Sequence, residues 1–201
     1  KDGFAEGKAL DIWETAAVLN YSTKTVGATN DYGATAGSDI VVITSGMPRK
    51  PGMSRDDLIS TNANIVKSVT EQVIDASPNA IIIVVANPLD VMTYCAYLAA
   101  KVDHRKVFGM AGILDTARYK AFLADEIGCS PKDIQAVLMG GHGDTIVPLP
   151  RYTTVAGIPV TELIDMDTLD AIVERTKKGG GELVQLMGTS AWYAPGAAAA
   201  Q

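Results

Sequence analysis

Asp39-Ile40-Val41-Val42-Ile43-Thr44-Ser45-Gly46 and Ala80-Ile81-Ile82-Ile83-Val84-Val85-Ala86-Asn87 are the two stretches that decide how this chain is read. Each is short, dominated by β-branched residues, and closed by small or polar ones. Strands buried on both faces of a parallel sheet read this way, because side chains on alternate faces must both be apolar. Between them, residues 56–76 carry Leu58, Ile65, Val69 and Val73 at helical spacing. Ser54, Asp56 and Asp57 supply a capped, acidic start that complements a helix dipole. Strand, helix, strand predicts a βαβ unit and an α/β fold.

Further along the chain, residues 88–101 predict a helix, 106–109 a short strand, 116–127 a helix and 134–139 a strand. Beyond His142 the character changes. Residues 151–160 are β-branched and interrupted by Gly157 and Pro159, which predicts a hairpin. Residues 167–178 predict an amphipathic helix with Leu169, Ile172 and Val173 on one face, and Gly179-Gly180-Gly181 predicts a break or kink after it. No internal repeat or low-complexity linker divides the chain. The change from α/β alternation to a mixed region sets a domain boundary near residues 112–114, giving domains 1–113 and 114–201.

A chain of 201 residues with 47% hydrophobic and 20% charged residues can bury a globular core. The net charge of −6, without a basic cluster, argues against a nucleic-acid partner. The apolar run at residues 80–86 is far short of the roughly 20 residues a bilayer requires, so no membrane span is expected. Cys95 and Cys129 lack metal-ligand spacing and read as free thiols in a reducing compartment. With no charged-then-apolar leader, the expectation is a cytoplasmic protein. The chain starts at Lys1 and ends in Ala197-Ala198-Ala199-Ala200-Gln201, which reads as a fragment cut within a helix.

Ligands of open α/β sheets bind beyond the carboxyl ends of the strands, so the residues there are the candidates for chemistry. One strand runs into a loop, Gly46-Met47-Pro48-Arg49-Lys50-Pro51-Gly52-Met53-Ser54-Arg55, with glycines and prolines enough to turn sharply and three cations. It is either a solvated basic loop or a lid. Another strand ends in Asn87-Pro88, and a third in Gly140-Gly141-His142-Gly143-Asp144. Asp115 and Arg118 lie three apart and share a helical face, as a surface salt bridge or as part of a site. His104 sits among charges and reads as a surface residue. His142, flanked by glycines after a buried strand, is either structural or a general base, and a general base needs a carboxylate to hold it. Asp115 is the candidate partner, although spacing alone does not establish it.

Taken in order, Gly7-Lys8-Ala9-Leu10-Asp11, Pro48-Arg49-Lys50-Pro51-Gly52-Met53-Ser54-Arg55, Val85-Ala86-Asn87-Pro88-Leu89-Asp90, Gly109-Met110-Ala111-Gly112 with Leu114-Asp115-Thr116-Ala117-Arg118, and Gly140-Gly141-His142-Gly143-Asp144 resemble the lactate/malate dehydrogenase family. The likeness extends over essentially the whole chain, and is nearest to the malate-specific members of the lactate-dehydrogenase-like bacterial group. Each segment is a weak pattern; five in this order are specific. The resemblance implies a partial Rossmann-type doubly wound parallel sheet, its first βαβ unit preceding Lys1, followed by a truncated α+β substrate domain. It also implies an NAD cofactor, a dicarboxylate substrate, and a homodimer or homotetramer, the tetramer favoured, in the tricarboxylic acid cycle.

By the same resemblance His142 is the acid/base and Asp115 holds its ring. Arg118 grips the carboxylate beside the reacting carbon, Arg55 polarises the carbonyl when its loop closes, and Arg49 binds the second carboxylate. Asn87 hydrogen-bonds the substrate oxygen, and Gly46, Asn62, Val85, Ala86 and Asn87 meet the dinucleotide. The Asn87–Pro88 peptide is expected to be cis. Arg49 stands where lactate-specific relatives carry an uncharged glutamine, which argues against the alternative of a lactate or other 2-hydroxy-acid dehydrogenase. Two readings from other classes remain to be weighed. A metal-dependent hydrolase using His142 and Asp144 would need further ligands, and a non-catalytic α/β binding module would make the constellation a coincidence. The family's Gly-rich turn and the acidic residue that selects NAD over NADP are expected before Lys1, so the 201-residue chain is expected to be inactive alone.

Overall fold

The computed structural model describes residues 2–47 and 55–201. It opens with α1 (Phe4–Glu14) and α2 (Ala16–Leu19), which the periodicity does not anticipate. The reason is visible in α1: only Ala9 is buried, while Leu10, Ile12 and Trp13 are exposed, so no apolar stripe marks the helix.

The two β-branched runs form β1 (Ile40–Ile43) and β2 (Ile81–Val84), joined through α3 (Arg55–Ala76). Helix α4 (Leu89–Ala100) then leads to β3 (Val107–Gly109). The strands make one parallel sheet in the order β1-β2-β3, with Ile40 opposite Ile81 and Ile82 opposite Val107. Ile43, Ile82 and Val84 point into a core with Val66 of α3 and Met92 and Ala96 of α4. The expected burial of both faces is corrected by the structure. Ile40, Val42, Ile81 and Phe108 on the alternate face are exposed. That face is met at its carboxyl end, where Ile83 and Val85 pack with Met110, Leu114 and Ala198. Residue type reports which faces can be buried; which faces are buried depends on what packs there.

Beyond the sheet, α5 (Gly112–Ile127) begins four residues before the expected start at 116. The expected strand at 134–139 is two strands, β4 (Ile134–Gln135) and β5 (Leu138–Gly140). β5 pairs antiparallel with β6 (Ile146–Pro148), whereas β4 pairs with β7 (Thr154–Val155), which turns back into β8 (Ile158–Pro159) as the expected hairpin. Ile134 and Leu138 are buried while Gln135, Val137 and Met139 are exposed, so the alternation runs unbroken through the change of partner. Alternation encodes burial and is silent about pairing.

Helix α6 (Met166–Met187) corrects a further expectation, because it runs straight through Gly179-Gly180-Gly181. Three glycines weaken a helix by about 1 kcal/mol each relative to alanine. Tertiary packing outweighs this: Leu169, Ile172, Thr176 and Gly179 form one buried stripe, and Leu169 and Ile172 share a core with Tyr119 and Leu123 of α5. Asp165 caps the helix by accepting from the Thr168 N–H at 2.9 Å, and Gly188 closes it with a φ of 70°. A last helix, α7 (Tyr193–Ala200), adds Ala198 to the carboxyl end of the sheet. No helix among the described residues is long and apolar enough to cross a membrane. Both cysteines are free thiols.

Candidate active site

Beyond the carboxyl ends of β1 and β2 lies a cleft of 1260 Å³. Gly46 and Asn87 stand on one wall, and Arg118 and His142 on the other, backed by Gly180 and Val184 of α6.

The first wall is organised by one buried amide. Asn62 of α3 is 2% exposed. Its Oδ1 accepts from the Met47 N–H at 2.8 Å, and its Nδ2 donates to the carbonyls of Met47 at 3.2 Å and Asn87 at 2.8 Å. The two loops that leave β1 and β2 are thereby tied to each other. Asn62 also lines the cleft, but its polar atoms are engaged by the protein backbone. Val85 is half-buried, Ala86 is buried and Asn87 is exposed, and the Asn87–Pro88 bond is cis.

The second wall is organised by charge. Asp115 lies in the first turn of α5, where the helix dipole favours a carboxylate. Its side chain is 3% exposed. Oδ2 lies 2.9 Å from His142 Nδ1, and Oδ1 accepts from Arg118 Nη1 at 3.1 Å. A carboxylate accepts, so the ring donates from Nδ1, and in the tautomer that makes this bond Nε2 is the nitrogen with a lone pair to take a proton. Arg118, one turn further along the same face, completes an ion pair with Asp115. The loop carrying His142 joins β5 to β6, and it is tight: Gly140 has a φ of +87°, and a Cβ there would collide with the Thr145 carbonyl. Thr116 Oγ1 accepts the Leu138 N–H at 3.2 Å, which ties β5 to the helix that carries Asp115.

Thus the structure gathers His142, Asp115, Arg118, Asn87, Asn62, Gly46, Val85 and Ala86 at one cleft. Arg49 lies outside the described residues, as do the other residues of 48–54 and with them the expected Ser54 cap; Arg55 opens α3, and its side chain also lies outside them. His104 is exposed, as expected for a surface residue. Among the described residues no three His, Cys, Asp or Glu side chains come together in a way that could hold a metal. Sequence reasoning missed Thr116, whose role depends on a strand 22 residues away in the chain. It also missed Gln185, Thr189, Ser190 and Trp192, which line the cleft from the end of α6 and the turn into α7.

Two family models match the chain: the lactate/malate dehydrogenase NAD binding domain over residues 1–109, and the lactate/malate dehydrogenase alpha/beta C-terminal domain over residues 113–201. The chain belongs to the lactate/malate dehydrogenase family. Within it, the malate dehydrogenase of Cytophaga hutchinsonii is 75% identical over 201 residues, which are 100% of this chain and 64% of that protein. The chain thus spans less than two thirds of the length of this relative. The solved malate dehydrogenase of Salinibacter ruber superposes with a TM-score of 0.92 at 58% identity, covering 100% of this chain and 63% of that one. Plasmodium falciparum malate dehydrogenase in complex with NADH superposes with a TM-score of 0.86 at 38% identity, covering 99% and 64%. The matches support the partial doubly wound sheet followed by a second α/β unit.

Proposed function

We propose that the protein carrying this chain is an NAD-dependent malate dehydrogenase, which interconverts (S)-malate and oxaloacetate. One observation carries the reading. A buried carboxylate, Asp115, holds an imidazole and a guanidinium side by side at the carboxyl edge of a parallel sheet. The family models and the malate dehydrogenase names of the relatives support it. Residues 1–113 serve the dinucleotide and 114–201 the substrate.

The wall formed by Gly46, Val85 and Asn87 leaves room beside His142 for the nicotinamide end of a dinucleotide, so the residues present fit that group. When bound, the nicotinamide supplies the hydride acceptor, a chemistry no side chain provides. The protein's residues do the rest. His142 Nε2 takes the hydroxyl proton as the hydride leaves the neighbouring carbon, and returns it in the reverse reaction. Asp115 steadies the imidazolium that forms. Arg118 grips the carboxylate beside the reacting carbon through the two-point fit of a guanidinium. Asn87 hydrogen-bonds the substrate oxygen. Arg55 polarises the carbonyl when its loop closes and excludes water, and Arg49 pairs with the second carboxylate. A buried guanidinium left unpaired penalises a substrate with a single carboxylate, which makes Arg49 the selector.

The same reading takes the protein to be a cytoplasmic homo-oligomer, a tetramer in preference to a dimer, in the tricarboxylic acid cycle. The test is the malate-dependent rise in reduced-nicotinamide absorbance with the full-length gene product. A rise with malate well above that with lactate is expected. Turnover of lactate alone would overturn the substrate, and no turnover of either would overturn the dehydrogenase.

A further inference from the structure

We propose that Gly179, with Gly180 beside it, is a positioning residue that seats Arg118 on the face of α6. The proposal rests on the reading above, in which Arg118 meets a substrate carboxylate.

The three glycines lie in one unbroken helix, yet they are not equivalent. A Cβ at Gly179 would fall 3.1 Å from Arg118 Cδ and 3.6 Å from its Nε. One at Gly180 would fall 3.7 Å from Nη2, and one at Gly181 would meet nothing within 4 Å. Carbon atoms are at their optimal separation near 3.5–4.0 Å, so an alanine at 179 forces the arginine stem to yield. Gly179 belongs to the buried stripe of α6, and the Arg118 side chain is only 15% exposed, with the cleft as its open side. Its far end is tied to Asp115 Oδ1 at 3.1 Å, and Asp115 is tied in turn to His142. A displaced stem therefore changes the bearing of the guanidinium and pulls on the carboxylate that orients the imidazole. A glycine needed only for α5–α6 packing would act on stability and leave these groups alone.

The experiment compares Gly179→Ala, Gly181→Ala, Arg118→Lys and the double variant Gly179→Ala/Arg118→Lys in the full-length protein. Gly179→Ala should raise the KM for oxaloacetate about tenfold while the KM for the reduced cofactor stays within about twofold. In the Arg118→Lys background the stem remains but the planar guanidinium whose bearing it sets has gone, so the same change should add less than about twofold. The Arg118 Nε–H resonance should shift in Gly179→Ala and stay in place in Gly181→Ala. An equal KM rise in both backgrounds, or an unmoved Arg118 resonance, overturns the proposal. Should Gly179→Ala not fold, Gly180→Ser reaches the guanidinium from the next position, and an unmoved resonance there overturns it alone. A wild-type enzyme that ignores oxaloacetate would sink the functional reading, while the resonance would still decide whether Gly179 seats Arg118.

Discussion

The two walls of the cleft are built on opposite principles. On one, a neutral amide, Asn62, makes three hydrogen bonds to backbone and carries no charge. On the other, a buried carboxylate, Asp115, joins two ionisable partners. A wall that only has to hold a shape can be made from backbone and an amide, whose hydrogen bonds do not change with protonation. A wall that moves a proton needs charge, and charge in a buried setting must be paired or it becomes expensive.

The largest break in this contrast comes from the charged wall. His142→Asn removes the proposed proton acceptor and should lower kcat by roughly 10²–10⁴-fold, with the fold, read by circular dichroism, unchanged. Asn62→Ala attacks the neutral wall and should act on stability first. It strands the Met47 N–H and the Asn87 carbonyl, which should lower the unfolding free energy by about 1–3 kcal/mol in denaturant titration. If kcat fell in Asn62→Ala as far as in His142→Asn, the division of labour between the walls would be wrong. Arg49→Gln tests whether selectivity belongs to the residues that follow the Asn62-clamped Met47 in sequence. It should move the ratio of kcat/KM for oxaloacetate over pyruvate by about tenfold or more toward pyruvate, and an unmoved ratio removes Arg49 as selector.

The smallest effect lies away from both walls, at the N-terminal cap of α6. The Thr168 backbone N–H, and then its hydroxyl, hold the Asp165 carboxyl below its ordinary value of 3.8. A depressed value means that the cap stabilises the fold above the unfolded value and loses its effect as pH falls through the folded one. Asp165→Ala should therefore lower Tm slightly at neutral pH, and its gap from wild type should close in acid. A gap that widens in acid would contradict the cap.

How legible each part was follows from the range of the forces behind it. The β-branched runs that became β1 and β2 and the helical spacing of α3 are local, and they were read with the right type and nearly the right bounds. The stretch 134–139 was read as one strand because burial alternates through it, while the switch from β7 to β6 as partner depends on residues further along the chain. His142 and Asp115 were legible as types in suggestive places, and their 2.9 Å contact required the β5–β6 loop to fold back over α5. Asn62 was named only through the family resemblance, as a dinucleotide contact, and its grip on two loops was not legible.

Sequence by itself determined the α/β character, the strand ends that carry the candidate residues, and the residue types able to move a proton and hold a carboxylate. These follow from side-chain periodicity and from functional-group chemistry, both properties of short segments. Tertiary structure alone decided which face of the sheet is covered, that α6 runs through three glycines, and that one carboxylate serves both histidine and arginine. Each of those depends on contact between distant segments, where a few kilocalories of packing outweigh the local preference the sequence displays.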